Sequence, residues 1–239
     1  MRFRVILAVS AVALATIMTG CSGSKVATKS SNELARYKIR SIALIPFTSI
    51  ETPQARDQND LFLPAPESIR RSDMIPRDRQ PPPRQTMVVP EYAAKKVTEL
   101  FWGRLQDRKG VQVLSPSDAV RVSAADGELA KIGPEKAAAA VAKRLKADAA
   151  LFGLVSVYQE RVGSRLGADP PAMVGFEVRV VAADGQVLWV GGYYERQRPM
   201  NEDLKGFLQR WAFVTAAELA EYGVEEILKD FPFGVGEGK

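Results

Sequence analysis

The chain has 239 residues, with no histidine and a single cysteine. Without histidine it lacks the commonest general base and the commonest metal ligand. One cysteine cannot close a disulfide within the chain, and zinc, haem or thiolate chemistry would need ligands the sequence does not carry. No cofactor is therefore expected. The basic surplus is small: 33 lysines and arginines against 28 acids, a formal charge of +5 and a pI of about 9.3. The cations are interspersed with acids and form no basic stripe with interleaved aromatics. Nucleic acid is therefore not an expected partner, and a mixed-charge soluble surface is. Apolar runs are short as well. The most apolar one, Val5 to Met18, falls short of the roughly 20 residues of a membrane-spanning helix.

What the N-terminus does hold is ordered. Arg2 and Arg4 form a short basic region, Val5 to Met18 carries no charge, and Thr19 and Gly20 are small residues before Cys21. Charge, apolar run and small residues follow the order of a secretory signal. The tetrapeptide Met18-Thr19-Gly20-Cys21 resembles a bacterial lipobox, with Met18 where leucine is commoner. The order favours this reading over a transmembrane anchor or a buried N-terminal helix with an incidental cysteine. The resemblance implies cleavage between Gly20 and Cys21, acylation of Cys21 and a mature chain without a free thiol. Residue 22 is serine rather than aspartate, which by the same resemblance points to the outer membrane. Removing Arg2 and Arg4 lowers the formal charge from +5 to +3.

The mature chain is expected to be one α/β domain, a mixed sheet of about five strands packed with helices and closed by a C-terminal helical pair. Residues 1–20 are the signal peptide. Residues 21–37, rich in serine, lysine and threonine, read as the lipidated cysteine and a flexible tether. Sixteen extended residues would span at most about 55 Å. Residues 38–239 form the domain. Its first strand is read over 37–47 and ends at Pro46. Eight of the chain's 15 prolines fall in 48–90, with six acids and six arginines, which excludes a regular helix or central strand there. An extended, partly disordered insertion is expected, with a proline-rich ligand for a partner groove as the alternative.

Beyond Pro90 the periodicity is clear. Apolar residues at 93, 97, 100, 101 and 105 predict an amphipathic helix over 91–108. A short strand follows in 110–116, ended by Pro116, then a helix capped by Ser115 with Pro116 in its first turn. Another helix opens at Pro134, its alanines set close to a sheet with Val141 and Leu145 as anchors. Residues 149–160 are apolar on both faces over Leu151–Val157 and predict a central strand. Val174, Phe176, Val178 and Val180 alternate with Glu177 and Arg179 in the next strand. Ala183-Asp184-Gly185-Gln186 is a hairpin turn, and the returning strand sets Trp189 on the same face as Val187 and Gly191, toward the core. Leu204, Phe207, Leu208 and Trp211 share a helical face. Thr215 and Glu218 have the spacing of a capping box that starts the last helix, through Lys229.

Apparent catalytic motifs are weak. Ser22-Gly23-Ser24-Lys25 matches S-x-x-K but lies beside the anchor. Gly234 to Lys239 is part of a phosphate-loop pattern with no helix after it. The pairs Glu225/Glu226 and Asp57/Asp60 read as solvated charge. Tyr193 and Tyr194 face opposite sides of a strand, one for the core and one for solvent, with sugar stacking as the alternative for the exposed ring. No catalytic or metal-binding residue is assigned.

Three stretches together carry a resemblance: Ile39 to Phe47; Glu135 to Tyr158, with an Ala147-Asp148-Ala149 step and Gly153; and Arg179 to Glu195, with Asp184-Gly185 and Trp189. Their order is similar to that of periplasmic lipoprotein domains of the TolB-N-like, CsgG-like and LpoB-like group, over roughly residues 38–195. The resemblance implies an outer-membrane lipoprotein facing the periplasm that binds another envelope protein in assembly, secretion or cell-wall synthesis, without catalysis. Gly153, Asp184, Gly185 and Trp189 would be turn and packing positions. The alternatives are a subunit of a secretion or export channel and, behind it, an enzyme acting on peptidoglycan or glycans. The channel would need long lipid-facing hairpins that the sequence does not display.

Overall fold

A computed structural model describes residues 25–51, 54–55, 86–125, 127–198 and 212–234. In chain order the elements are β1 (Val26–Ser30), β2 (Ser41–Leu44), β3 (Thr48–Ser49), β4 (Gln54–Ala55), β5 (Thr86–Met87), α1 (Glu91–Leu105), β6 (Gln112–Leu114), α2 (Pro116–Ala124), α3 (Pro134–Leu145), β7 (Ala149–Gln159), β8 (Met173–Ala182), β9 (Val187–Arg196) and α4 (Ala216–Lys229). Seven strands form one sheet in the order β1-β9-β8-β7-β2-β6, with β3 also beside β7. The β2–β6, β2–β7 and β3–β7 pairs are parallel, and β1–β9, β7–β8 and β8–β9 are antiparallel. The separate pair β4–β5 joins the two ends of the proline-rich stretch, most of which lies outside the described residues. So does the first helix of the expected C-terminal pair, over 204–211.

The sheet is mixed and the class α/β, as the periodicity implies, with two differences in the strands. The first strand of the sheet is not at 37–47. Residues 26–30, expected in the tether, pair antiparallel with β9 from Val26 opposite Tyr193 to Ser30 opposite Trp189. Val26 packs against the core, and the Thr28 hydroxyl donates to the Asp230 carboxylate at 3.0 Å, so this polar stretch has β9 along one edge and the end of α4 across one face. The segment at 37–47 shortens to β2, because Pro46 interrupts pairing before the chain resumes beside β7 as β3.

Local signals place the helix starts. The Ser115 hydroxyl accepts from the Asp118 amide, with Pro116 next in line. Thr215 and Glu218 form a reciprocal capping box: the Thr215 hydroxyl accepts from the Glu218 amide at 3.2 Å, and the Glu218 carboxylate accepts from the Thr215 amide at 2.7 Å. The latter bond is the largest of the contacts holding the Glu218 carboxyl below its usual range. α3 stops at Leu145, because Lys146 takes a left-handed conformation (φ 54°) and the Ala147 amide turns back to the Ala142 carbonyl.

Two layers of helix flank the sheet. On one face α1 and α4 bury Val97, Phe101, Leu219, Val224 and Ile227 against alternate residues of β7, β8 and β9. Phe47, Phe101, Phe176 and Tyr193 run through this layer with ring centroids 5.0–5.9 Å apart. Gly153 has the packing role the sequence implied: a Cβ there would lie 2.3 Å from the Phe47 ring. On the other face Ala138 and Ala142 of α3 meet Ala43 and Ala150, the small residues that permit close approach. Val141 does not anchor α3 to the sheet. It turns sideways onto Ala119 and Leu129, in and just beyond α2.

The resemblance motif at Ala147-Asp148-Ala149 is likewise a folding device. One Asp148 oxygen accepts from the Arg40 amide, the Ser41 amide and the Ser41 hydroxyl, each at 2.9 Å. The Asp148 amide in turn donates to the Ser41 hydroxyl at 3.0 Å. These bonds lock the starts of β2 and β7 in parallel register. Asp184 ends the β8–β9 hairpin in the same manner, accepting from the Gln186 amide and the Tyr37 hydroxyl, with Gly185 at φ 101°.

Candidate functional site

Gly20 and Cys21 lie outside the described residues, as do Asp57 and Asp60. Ser22 to Ser24 and residues 235–239 lie outside them too, and the motif residues that are described are where a structural role would put them. Lys25 of the S-x-x-K match is ion-paired with Glu195 at 2.9 Å. On α4, Glu225 pairs with Arg104, and Glu226 with Lys229. Gly234 is a turn residue with φ 66° that packs on Val111. Tyr193 is buried and Tyr194 is 56% exposed, the opposite-face arrangement read from the strand.

One end of the sheet gathers most of the unusual features. There β7 leads into the 160–172 loop, β9 ends, and β1 begins. The chain is tied at this point by Glu195, which is only 4% exposed. Its carboxylate accepts from Lys25 Nζ at 2.9 Å and from the Tyr193 hydroxyl at 2.6 Å, while the Tyr194 amide donates to the Lys25 carbonyl. A buried carboxylate is retained only with such partners. The sequence reading did not single out Glu195. The available signal was its spacing, two residues from the core-facing Tyr193 on the same strand face.

The 160–172 loop is fixed at its base and open at its tip. Glu160 accepts from the Ala216 amide at 3.1 and 3.2 Å, placing a carboxylate at the N-terminus of α4. The Phe213 amide donates to the Arg165 carbonyl, and the Ser164 amide to the Gly167 carbonyl. The turn so formed holds Leu166 out, 87% exposed, with Val162 61% exposed beside it. At the same end Tyr92, in the first turn of α1, is exposed and meets the buried Tyr158 edge to face at 5.7 Å. Burial pushes the Tyr158 hydroxyl up to about 12, with smaller contributions from Tyr92 and Glu160.

Farther along the sheet, the face opposite α1 and α4 is covered by α3 only in part. Arg179 pairs with Glu135 of α3 and, at 2.5 Å, with Glu177. Beyond Arg179, Leu154 is exposed, and Tyr194 lies over Gly175 with its hydroxyl 3.3 Å from the Met173 sulfur.

No family model matches this sequence, and no curated protein matches it. Solved structures resemble it only distantly. The PelC dodecamer from Paraburkholderia phytofirmans is 14% identical, covering 88% of this chain and 97% of that chain at a TM-score of 0.43. A lipoprotein from Neisseria meningitidis is 15% identical, over 80% of this chain and 98% of that chain, with a TM-score of 0.36. The LpoB C-terminal domain from Escherichia coli is 12% identical, over 77% and 94%, with a TM-score of 0.35. Function therefore has to be read from the chain's own residues.

Proposed function

We propose that this chain is an outer-membrane lipoprotein. In this reading it is cleaved after Gly20 and acylated on Cys21, and its periplasmic α/β domain works by binding another envelope protein rather than by catalysis. One observation carries the reading: the order of Arg2 and Arg4, the uncharged run Val5 to Met18, the small residues and then the only cysteine of the chain. An acyl anchor with more than one chain holds a protein stably at a bilayer, each buried methylene contributing about 0.8 kcal/mol. Two further observations account for motif residues by folding roles. Lys25, the one basic residue of the S-x-x-K match, has its ammonium engaged by Glu195, and the glycines and carboxylates of the resemblance motifs serve register and turns.

The anchor is tested by labelling cells with a palmitate analogue and fractionating their envelopes. The wild-type chain is expected to incorporate label and to sediment with outer membrane. Cys21→Ser is expected to incorporate none and to remain as uncleaved precursor. Label incorporated by the serine variant, or normal processing of it, would refute the assignment. The binding role is tested by crosslinking intact envelopes and capturing the chain. The same envelope protein should be recovered repeatedly with wild type and lost when the Cys21→Ser chain is held away from its membrane.

A further inference from the structure

We infer that the end of the domain at which β1 begins rests in the polar–apolar boundary of the bilayer, with Leu166 and Val162 as the side chains that enter it. This deepens the lipoprotein reading and rests on it. The first argument is length. A tether ending at residue 37 would have allowed a separation of about 55 Å, but the chain is already fixed at Lys25 by Glu195 and by the β1–β9 ladder. Only four residue steps separate Cys21 from Lys25, at most about 14 Å when fully extended. The headgroup layer itself is several ångströms deep on each side of a hydrocarbon core of about 30 Å. Fully extended, these steps leave Lys25 less than about 10 Å beyond the headgroups, so whatever projects past Lys25 toward the anchor comes within reach of the bilayer.

The second argument is which end is tethered. β1 runs antiparallel to β9, so Lys25 lies level with Tyr194. The 160–172 loop leaves β7 at Gln159 and enters β8 at Met173, which pairs with Arg196. It therefore starts past the level of Lys25 and projects farther in the direction of the anchor. The exposed large apolar residues follow the same polarity. Val162 and Leu166 are in the loop itself, and Tyr92, against Tyr158, and Tyr194, level with Lys25, are at the same end, whereas Val120 and Ile132 lie in or beside α2 and α3 and Leu154 on the sheet face opposite α1. Two large apolar side chains exposed on one loop call for a cover, and the bilayer is the cover the tether length puts within reach.

The charges at this end say what kind of contact it is. Glu195 is buried against Lys25, while Glu160 and Glu218, both exposed, are held by the Ala216 and Thr215 amides at the α4 N-terminus, with Arg165 3.7 Å from Glu218. The exposed groups are of both signs, Glu91 and Asp169 with Arg165 and Arg198. The contact is apolar rather than a basic patch on anionic lipid, so it should persist at high salt.

The single-cysteine sequence supplies the test, because an acylated Cys21 leaves no other thiol. The full lipidated chain carrying Leu166→Cys is labelled with an environment-sensitive fluorophore and reconstituted into phosphatidylethanolamine–phosphatidylglycerol vesicles. Lys143→Cys, in the last turn of α3 at the opposite end, is the control. Flotation first establishes that the chain is membrane-bound; failure there refutes the lipoprotein reading itself. In floating protein the label at 166 is expected to be quenched by doxyl lipid, and several-fold less by iodide than the label at 143, at low and high salt alike. Equal iodide quenching at both positions would overturn the inference while leaving the anchor intact. Protection from iodide without quenching by doxyl lipid would overturn it too, because a second copy or the chain's own residues would then be the cover.

Discussion

Truncating Trp189 to alanine should unfold this domain at markedly lower temperature. The indole is 1% exposed and meets Phe231 edge to face at 5.2 Å and 88°. Its outer ring lies across Gly191, where an added Cβ would fall 2.6 Å from Cη2. Removing a large aromatic from such a site costs about 3–5 kcal/mol. For a domain of this size, that lowers Tm by roughly 6–20 °C. The indole also carries a cost. Among the described residues its buried Nε1 has no acceptor, and an unmet donor is worth about 1–3 kcal/mol against the folded state. Phenylalanine keeps a ring against Phe231 and has no donor to strand, so Trp189→Phe should stay within about 1–2 kcal/mol of wild type. Thermal and urea unfolding of the two variants reads both numbers. An unchanged Tm for Trp189→Ala would refute the core assignment, and a phenylalanine variant as damaged as the alanine one would show that the N–H has a partner. Capture of an envelope partner should fall only as the folded fraction falls. Lost capture at unchanged Tm would move Trp189 to a recognition surface.

Other outcomes follow from the same geometry. Gly191→Ala should cost about 1–3 kcal/mol in urea unfolding, since the new methyl meets both the indole and Ile227. Hydrogen bonds from the Arg40 amide and Ser41 hold the Asp148 carboxyl below its usual range, so its contribution is complete above about pH 4 and is lost as pH falls through the lowered folded-state value. The stability gap between wild type and Asp148→Ala, measured by urea unfolding across pH, should therefore be full at neutrality and close in acid. Tyr158 has the opposite sign. Its hydroxyl ionises near pH 10 in the unfolded chain and at about 12 in the fold, so stability is unaffected below pH 10 and declines as pH rises from there toward 12. Tyr158→Phe should flatten that alkaline decline, and an identical decline in the variant would rule the residue out as its source.

What could be read from the sequence was set by neighbours in sequence. The Thr215–Glu218 box, the Ser115 cap and the Asp184-Gly185 turn are contacts spanning at most three residues, so their residue types announce them. The alternation of β8 and the two-faced apolarity of β7 reflect burial on the faces of a sheet, which a period of two records directly. The order at the N-terminus that resembles a lipobox is a linear pattern too, and the proposed anchor at Cys21 rests on it alone. The end of α3 was not, because Lys146 adopts a left-handed cap without the glycine that usually marks one. β1 was not legible either. Its five residues include polar ones that suit an edge, and what makes them a strand is a partner far along the chain: Lys25 and Glu195 are 170 residues apart. The candidate surface has the same character. Tyr92, Val162, Leu166 and Tyr194 share no motif or period. Only the antiparallel return of β1 along β9 puts the start of β1 at their end of the sheet, because chain direction in a sheet is decided by pairing and not by composition.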